Sequence, residues 1–166
     1  MNSADLFEQQ LVALLPRLRR FAHGLCRNAS EADDLVQQAA ERALRSRGQW
    51  QPGTRLDSWL YRILRNLWID SGRAHSRRSK HEAPAEEAGE IADPGASPHA
   101  ALELSEAMAA MQRLPEEQRE IVMLILVEGF GYRETAELLD LPIGTVSSRL
   151  VRGRTALLAF LERHGD

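Results

Sequence analysis

Apolar residues recur at three- and four-residue steps through most of this chain, the period of a helix buried along one side. Phe7, Leu11, Leu14, Leu15, Leu18, Phe21 and Leu25 form one such face. A second pattern, NASEADDLVQQAAERAL, opens with Ser30 and acidic residues suited to a helix start. Its apolar face is Leu35, Ala39 and Leu44, with Val36 and Ala43 beside it. RSRGQWQPGT, residues 45–54, holds two glycines and a proline and reads as a loop. Leu56, Leu60, Ile63 and Leu67 mark a third helix, which runs into the basic stretch Arg73, Arg77, Arg78 and Lys80.

The second half is also helical. One helix is expected over Leu102–Leu114. Pro115 and the acids after it then sit in a first helical turn. IVMLILV, Ile121–Val127, could be a buried strand by composition. The start signal ahead of it and the Glu128-Gly129 stop behind it predict a buried helix instead. The segment Arg133–Leu139 buries Ala136, Leu138 and Leu139, and DLPIG supplies a turn through Pro142 and Gly144. Thr145 falls at the N-cap or in the first turn of the helix that follows. At about 100° per residue, Val146, Leu150, Gly153 and Leu157 share one face of that helix. The small Gly153 admits a close neighbour. Ser148, Val151, Arg152 and Thr155 lie opposite, with Arg149 and Arg154 on the flanks and Ser147 at the shoulder. This is a helix-turn-helix, a device that sets the N-terminal residues of its second helix in the DNA major groove. Arg152 suits base edges or phosphates, the serines suit either, and Val151 suits a thymine methyl.

Between the halves, SKHEAPAEEAGEIADPGASPHAALEL has no apolar period until its end. Pro84, Pro94 and Pro98 are expected to interrupt any helix there. The fold class that follows is all-α: two small helical domains, 1–78 and 103–166, joined by an acidic flexible linker, 79–102. Charge divides the same way. Residues 1–80 carry 14 Lys and Arg against 8 Asp and Glu; residues 81–104 carry 6 acids and no Lys or Arg; residues 105–166 carry 7 bases against 10 acids. A basic front half is a footprint for a polyanion. No apolar run is long enough to cross a membrane. The first ten residues do not read as a secretory signal. The single cysteine, Cys26, allows no internal disulfide and fits a reducing cytoplasm.

The three helical stretches together resemble a known family. DDLVQQAAERAL is similar to the polymerase-binding second region of bacterial sigma factors. LDSWLYRILRNLWIDSGR is similar to the adjoining segment that melts and reads the promoter. LPEEQREIVML followed by GYRETAELLDLPIGTVSSRLVRGRTAL resembles the fourth region. With two domains only, and no room expected for a third, the chain resembles the extracytoplasmic-function group.

The resemblance implies core RNA polymerase and promoter DNA as partners. It places polymerase contact on Asp34, Gln37, Gln38, Glu41 and Arg42. It places −10 recognition on the loop Gln49–Thr54 and on Trp59, Arg62, Arg65, Asn66 and Arg73. It places −35 recognition on Ser147, Ser148, Arg149, Val151, Arg152 and Arg154. Trp50, Trp59 and Trp68 are candidates for base stacking, although Trp59 and Trp68 equally suit core packing. Many relatives carry a basic residue where Ser147 stands, Ala where Gly153 stands and Gly where Asp140 stands. An anti-sigma factor is expected as a further partner, because a flexible linker lets both domains be wrapped.

An enzyme is not expected: there is no Gly-rich phosphate loop and no dense metal constellation. No cofactor is implied. His23 and Cys26 share a helical face, but a packed pair is the better reading than two metal ligands. The competing reading is a conventional helix-turn-helix regulator that binds its operator without polymerase. Such a regulator has no need of DDLVQQAAERAL or of the basic, Trp-rich helix.

Overall fold

The computed structural model describes residues 2–78, 95 and 97–164, with backbone only for 73–78 and 164. The described residues are helical and contain no strand. The elements are α1 (Ser3–Leu25), α2 (Ala29–Arg45), α3 (Leu56–Arg78), α4 (Pro98–Gln112), α5 (Glu116–Val122), α6 (Tyr132–Leu139) and α7 (Ile143–His164). A 3₁₀ turn, Arg47–Gln49, follows α2, and a π turn, Met123–Val127, extends α5.

In the N-terminal unit α1, α2 and α3 pack on one another. Phe7, Leu11, Leu18 and Phe21 of α1 meet Leu35 and Ala39 of α2 and Leu56, Leu60 and Leu64 of α3 in the core. Pro16 lies inside α1 on its exposed side, where the hydrogen bond it cannot donate is left to solvent. The cap of α2 is Asn28 rather than Ser30: its side chain accepts from the Glu31 amide at 2.7 Å. Ala43, not Leu44, completes the buried face, and Leu44 is 41% exposed. The rotation explains this, since Ala43 lies about 40° from Ala39 and Leu44 about 140° from it.

In the C-terminal unit α4 begins at Pro98, inside the stretch read as linker. Pro98 does not interrupt the helix but occupies its first turn, where a missing N–H costs nothing, and Ser97 caps it by accepting from the Ala100 amide at 3.3 Å. The rest of the expected linker, 79–94 and 96, lies outside the described residues. Pro115 likewise precedes α5 as its cap. The predicted helix over Ile121–Val127 is present, but only Ile121–Leu124 are fully buried. Its last turn widens: the Glu128 amide donates to the Met123 carbonyl at 2.9 Å, five residues back. Leu126 and Val127 then face outward, 50% and 41% exposed.

The helix-turn-helix is formed by α6 and α7. Asp140 closes α6 at φ 53° and ψ 52°, the left-handed conformation that the position needs. Val146, Leu150 and Gly153 of α7 are buried and Leu157 half-buried. A methyl added at Gly153 would stand 2.8 Å from Val122 Cγ2 and 3.2 Å from Gln118 Cβ, so α5 approaches here as closely as a glycine allows.

The two units are packed together. Phe21, Tyr61 and Phe130 pack in a row with centroids 5.0 Å apart at each step, the first pair tilted and the second edge-to-face. Met123 fills the notch over Gly24, where an added methyl would stand 2.5 Å from its Cε.

Candidate nucleic-acid and partner interfaces

The expected −35 face points outward. Ser148, Val151, Arg152, Arg154 and Thr155 are exposed, and Val151 is 63% exposed. Arg152 lies back along its own helix: Nε donates to the Ser148 carbonyl and Nη2 to the Ser148 hydroxyl, each at 3.3 Å. Ser148 in turn donates to the Thr145 carbonyl at 3.2 Å. These bonds organise the polar edge without burying it. Ser147 is half-buried at the shoulder. Arg149 is drawn away from the face into an ion pair with Glu117 at 3.4 Å, at the start of α5.

The expected polymerase-contact residues also share a solvent face. Asp34, Gln37, Gln38, Glu41 and Arg42 are all exposed on α2, and Gln37 donates to Glu41 at 3.4 Å. The exposed Leu44 lies at the edge of this face, an apolar residue the sequence pattern had assigned to the core.

The expected −10 residues are divided. Asn66 is exposed and lines a cleft of about 460 Å³ with Arg42, Ile63, Ile69 and Asp70. Residues expected to face DNA and polymerase thus meet at one cleft between α2 and α3. Trp59 is half-buried edge-on to Phe7 at 6.1 Å, and Trp50 of the loop packs on the same ring at 5.6 Å. Trp68 is also packed against the core. The remainder of the loop, Gln51–Thr54, is exposed, with Gly53 at φ 89° and the Thr54 hydroxyl donating to the Gln51 carbonyl at 2.6 Å. Arg73 is helical, with its side chain outside the described residues, as is all of Lys80.

Arg62 and Arg65 face the C-terminal unit. Arg62 donates to the Glu137 carbonyl at 3.3 Å, and Arg65 pairs with Glu120. Burial pushes the Glu120 carboxyl up from its ordinary value, with the Arg65 charge and hydrogen bond pulling the other way. Around them lies a set of buried polar residues that periodicity did not single out. Glu128, whose side chain has no solvent exposure, accepts from Arg20 at 2.8 and 3.0 Å, from Arg17 at 3.4 Å and from the Tyr61 hydroxyl at 2.6 Å. The hydrogen bond to Glu128 raises the Arg20 guanidinium above its ordinary value. Burial and then the Glu128 hydrogen bond raise the Tyr61 hydroxyl, so it stays a donor.

Gln112 of α4 donates to the carbonyls of His23, Gly24 and Cys26 at 3.2, 3.2 and 3.0 Å, and Arg119 to that of Leu25 at 3.4 Å. The C-terminal unit therefore caps the last turn of α1, whose carbonyls have no partner within the helix. Burial lowers the Arg119 guanidinium below its ordinary value. His23 bonds Asp33 at 3.2 Å rather than Cys26. Among the described residues no group of three or more His, Cys, Asp or Glu is placed to hold a metal ion, and no helix is long and apolar enough to cross a membrane.

The sigma-70 region 2 family model matches residues 11–78, and the sigma-70 region 4 model matches residues 104–157. The chain is 39% identical over 162 residues to the ECF RNA polymerase sigma factor EcfG of Rhodopseudomonas palustris strain TIE-1, covering 97% of this chain and 88% of that one. It is 36% identical over 154 residues to the ECF RNA polymerase sigma factor SigE of Mycolicibacterium smegmatis, covering 90% of this chain and 59% of that longer protein. Among solved structures, the sigma factor RpoE of Bartonella quintana, crystallised with the anti-sigma factor NepR, matches with a TM-score of 0.83 and 32% identity. The match covers 94% of this chain and 96% of that one.

Proposed function

Because the chain belongs to the sigma-70 family, in its extracytoplasmic-function group, we infer that it works by binding rather than by catalysis, in the cytoplasm, under an anti-sigma factor. It is a promoter-specificity factor: it joins core RNA polymerase, recognises −35 and −10 elements and helps open the promoter. The observation that carries the residue assignments is the pair of outward faces on the two matched regions, one on α2 and one on α7.

On this reading the exposed polar face of α2 docks on polymerase through Asp34, Gln37, Gln38, Glu41 and Arg42, with Leu44 adding apolar contact at its edge. The first turns of α7 enter the major groove at the −35 element. Ser147, Ser148, Val151 and Arg152 read base edges there, while Arg149 and Arg154 suit phosphates. At the −10 element the step is physical. Unstacking a base costs a few kcal/mol. Capture of the extruded base by loop 49–54 offsets that cost. Trp59, Arg62, Arg65, Asn66 and Arg73 hold the exposed strand by stacking and phosphate contact. The solved RpoE complex supports an anti-sigma partner here, since that sigma factor was crystallised with one and is similar over nearly the whole chain.

Run-off transcription on fragmented genomic DNA with core polymerase tests this. New discrete transcripts that need both polymerase and this protein are expected. Tight binding to a DNA site by the protein alone, with no core binding and no transcripts, would identify a conventional regulator instead.

A further inference from the structure

We propose that Glu117 is a positioning residue for promoter binding: it holds Arg149 off the DNA backbone and thereby sets the strength and salt dependence of contact at the −35 element. The proposal rests on the reading of α7 as the −35 helix.

Arg149 precedes Gly153 by four residues and lies about 40° from it around α7, on the flank that faces α5. The two helices are fixed close together at Gly153, where an added methyl would stand 2.8 Å from Val122 Cγ2 and 3.2 Å from Gln118 Cβ. Glu117 is the residue before Gln118, and across this contact its Oε2 stands 3.4 Å from Arg149 Nη2. The Arg149 side chain is 25% exposed and that of Glu117 70%. The Arg149 charge also reaches Glu120, one turn further along α5, and pulls that carboxyl down against the effect of burial. Two carboxylates of α5 thus hold Arg149 toward α5. The other arginines of the face differ. Arg152 is bonded to Ser148, and among the described residues neither Arg152 nor Arg154 pairs with a carboxylate.

A free guanidinium beside the groove would neutralise one phosphate and release its counterions, a contact that favours every sequence alike. With Glu117 in front of it, Arg149 adds no net charge on that flank. The helix then makes one phosphate contact fewer than its arginines would allow, and its hold on a promoter leans on Ser148, Val151 and Arg152. Glu117 touches no DNA on this account; it acts through Arg149. An exposed ion pair is weak, so removal of the one carboxylate is enough to release the guanidinium to a phosphate.

The test measures promoter binding by the polymerase holoenzyme across a range of salt concentrations, on DNA with an intact and with a scrambled −35 element. Glu117→Gln should steepen the plot of log affinity against log salt by about 0.9, the increment for one phosphate. At low salt it should raise affinity for both DNAs by the same factor, roughly 2 to 5. Two variants separate this from a general loss of negative charge. Glu116→Gln removes a neighbouring exposed carboxylate that makes no ion pair among the described residues, and it should leave the slope unchanged. In an Arg149→Ala background, Glu117→Gln should no longer alter the slope. An unchanged slope for Glu117→Gln overturns the proposal. So does equal steepening by Glu116→Gln, or steepening that persists without Arg149, since either makes Glu117 a diffuse repulsive charge. A gain confined to the intact element also overturns it, because Arg149 would then be reading bases. Arg154→Ala is the reference and should make the slope shallower by about 0.9. If Arg154→Ala and Glu117→Gln both leave the slope unaltered, α7 is not at the DNA; the −35 reading has failed, and the role of Glu117 falls with it.

Discussion

Two general effects give opposite signs for Gly153→Ala, which makes that substitution decisive. Gly153 lies in the interior of α7, where alanine is favoured over glycine by about 0.8–1.0 kcal/mol. On propensity alone the variant is more stable. The added methyl, however, would stand 2.8 Å from Val122 Cγ2 and 3.2 Å from Gln118 Cβ, with the Gln118 carbonyl oxygen at 3.4 Å. Val122 is 1% exposed and β-branched, so it has neither room nor an alternative rotamer to offer. Overpacking of this kind costs about 1–3 kcal/mol. The balance is a loss of roughly 1 kcal/mol, within a range of about 0–2.

Gly72→Ala is the reference. Gly72 is exposed inside α3, and a methyl there meets nothing within 4 Å, so only the propensity gain applies. Urea denaturation of the full chain gives both midpoints on one scale, with the slope checking that the unfolded state is unchanged. The expected result is a raised midpoint for Gly72→Ala and a lowered one for Gly153→Ala. A Gly153→Ala midpoint raised as far as that of Gly72→Ala would refute the close approach of α5 to α7. It would also remove the reason given for glycine at this position.

Arg152→Ala should weaken promoter binding by the polymerase holoenzyme by about 1–3 kcal/mol and relax the preference at one −35 base pair; equal losses across a panel of promoter variants would make Arg152 a phosphate contact. Asp140→Gly should be tolerated without loss of stability, whereas Asp140→Val should cost about 1–2 kcal/mol, because a β-branched residue is strained at φ 53°; denaturation midpoints check both. The Cys26 thiol is buried, and burial pushes it from an ordinary 9.0 up to about 12, with nearby Glu31 adding to the rise. Native protein at pH 8 should therefore react with a thiol-specific chromogen far more slowly than unfolded protein. The folded state holds this proton more tightly, so its contribution to stability is whole below about pH 9 and is lost as pH rises toward 12. Cys26→Ala should flatten that part of the stability profile.

Much of this was legible from spacing alone. The buried and exposed faces of α7 fall where a 100° rotation puts them, and Asp140 takes the backbone conformation that a chain reversal between two helices demands. The misreadings have local causes. Leu44 was counted with the core because it is leucine, although its angle points it away. Pro98 was counted as a breaker, although a proline in a first turn is compatible with a helix. The outward turn of Leu126 and Val127 follows from a single widened hydrogen bond, which leaves no mark on the period of the residues before it. The contacts of Glu128 and Gln112 were not legible. Each pairs with residues 67 to 111 positions away, and a charge next to Gly129 looks the same whether it ends a helix in water or enters a buried network.

The charge division of the sequence acquires a second meaning in the fold. A basic N-terminal half followed by an acidic remainder points to a polyanionic ligand for the first and weak DNA affinity for the second. Arginines of α1, of α3 and of the turn before it do face anions, but carboxylates of the same chain: Arg17 and Arg20 meet Glu128, Arg55 meets Glu134 and Arg65 meets Glu120. Of these, Arg65 is the one proposed to serve the −10 element, so on that proposal promoter DNA and Glu120 compete for one guanidinium group. Salt weakens exposed pairs of both kinds, but Glu128 is shielded from solvent and screened far less than a phosphate backbone. Rising ionic strength should thus weaken DNA binding while leaving the two units packed.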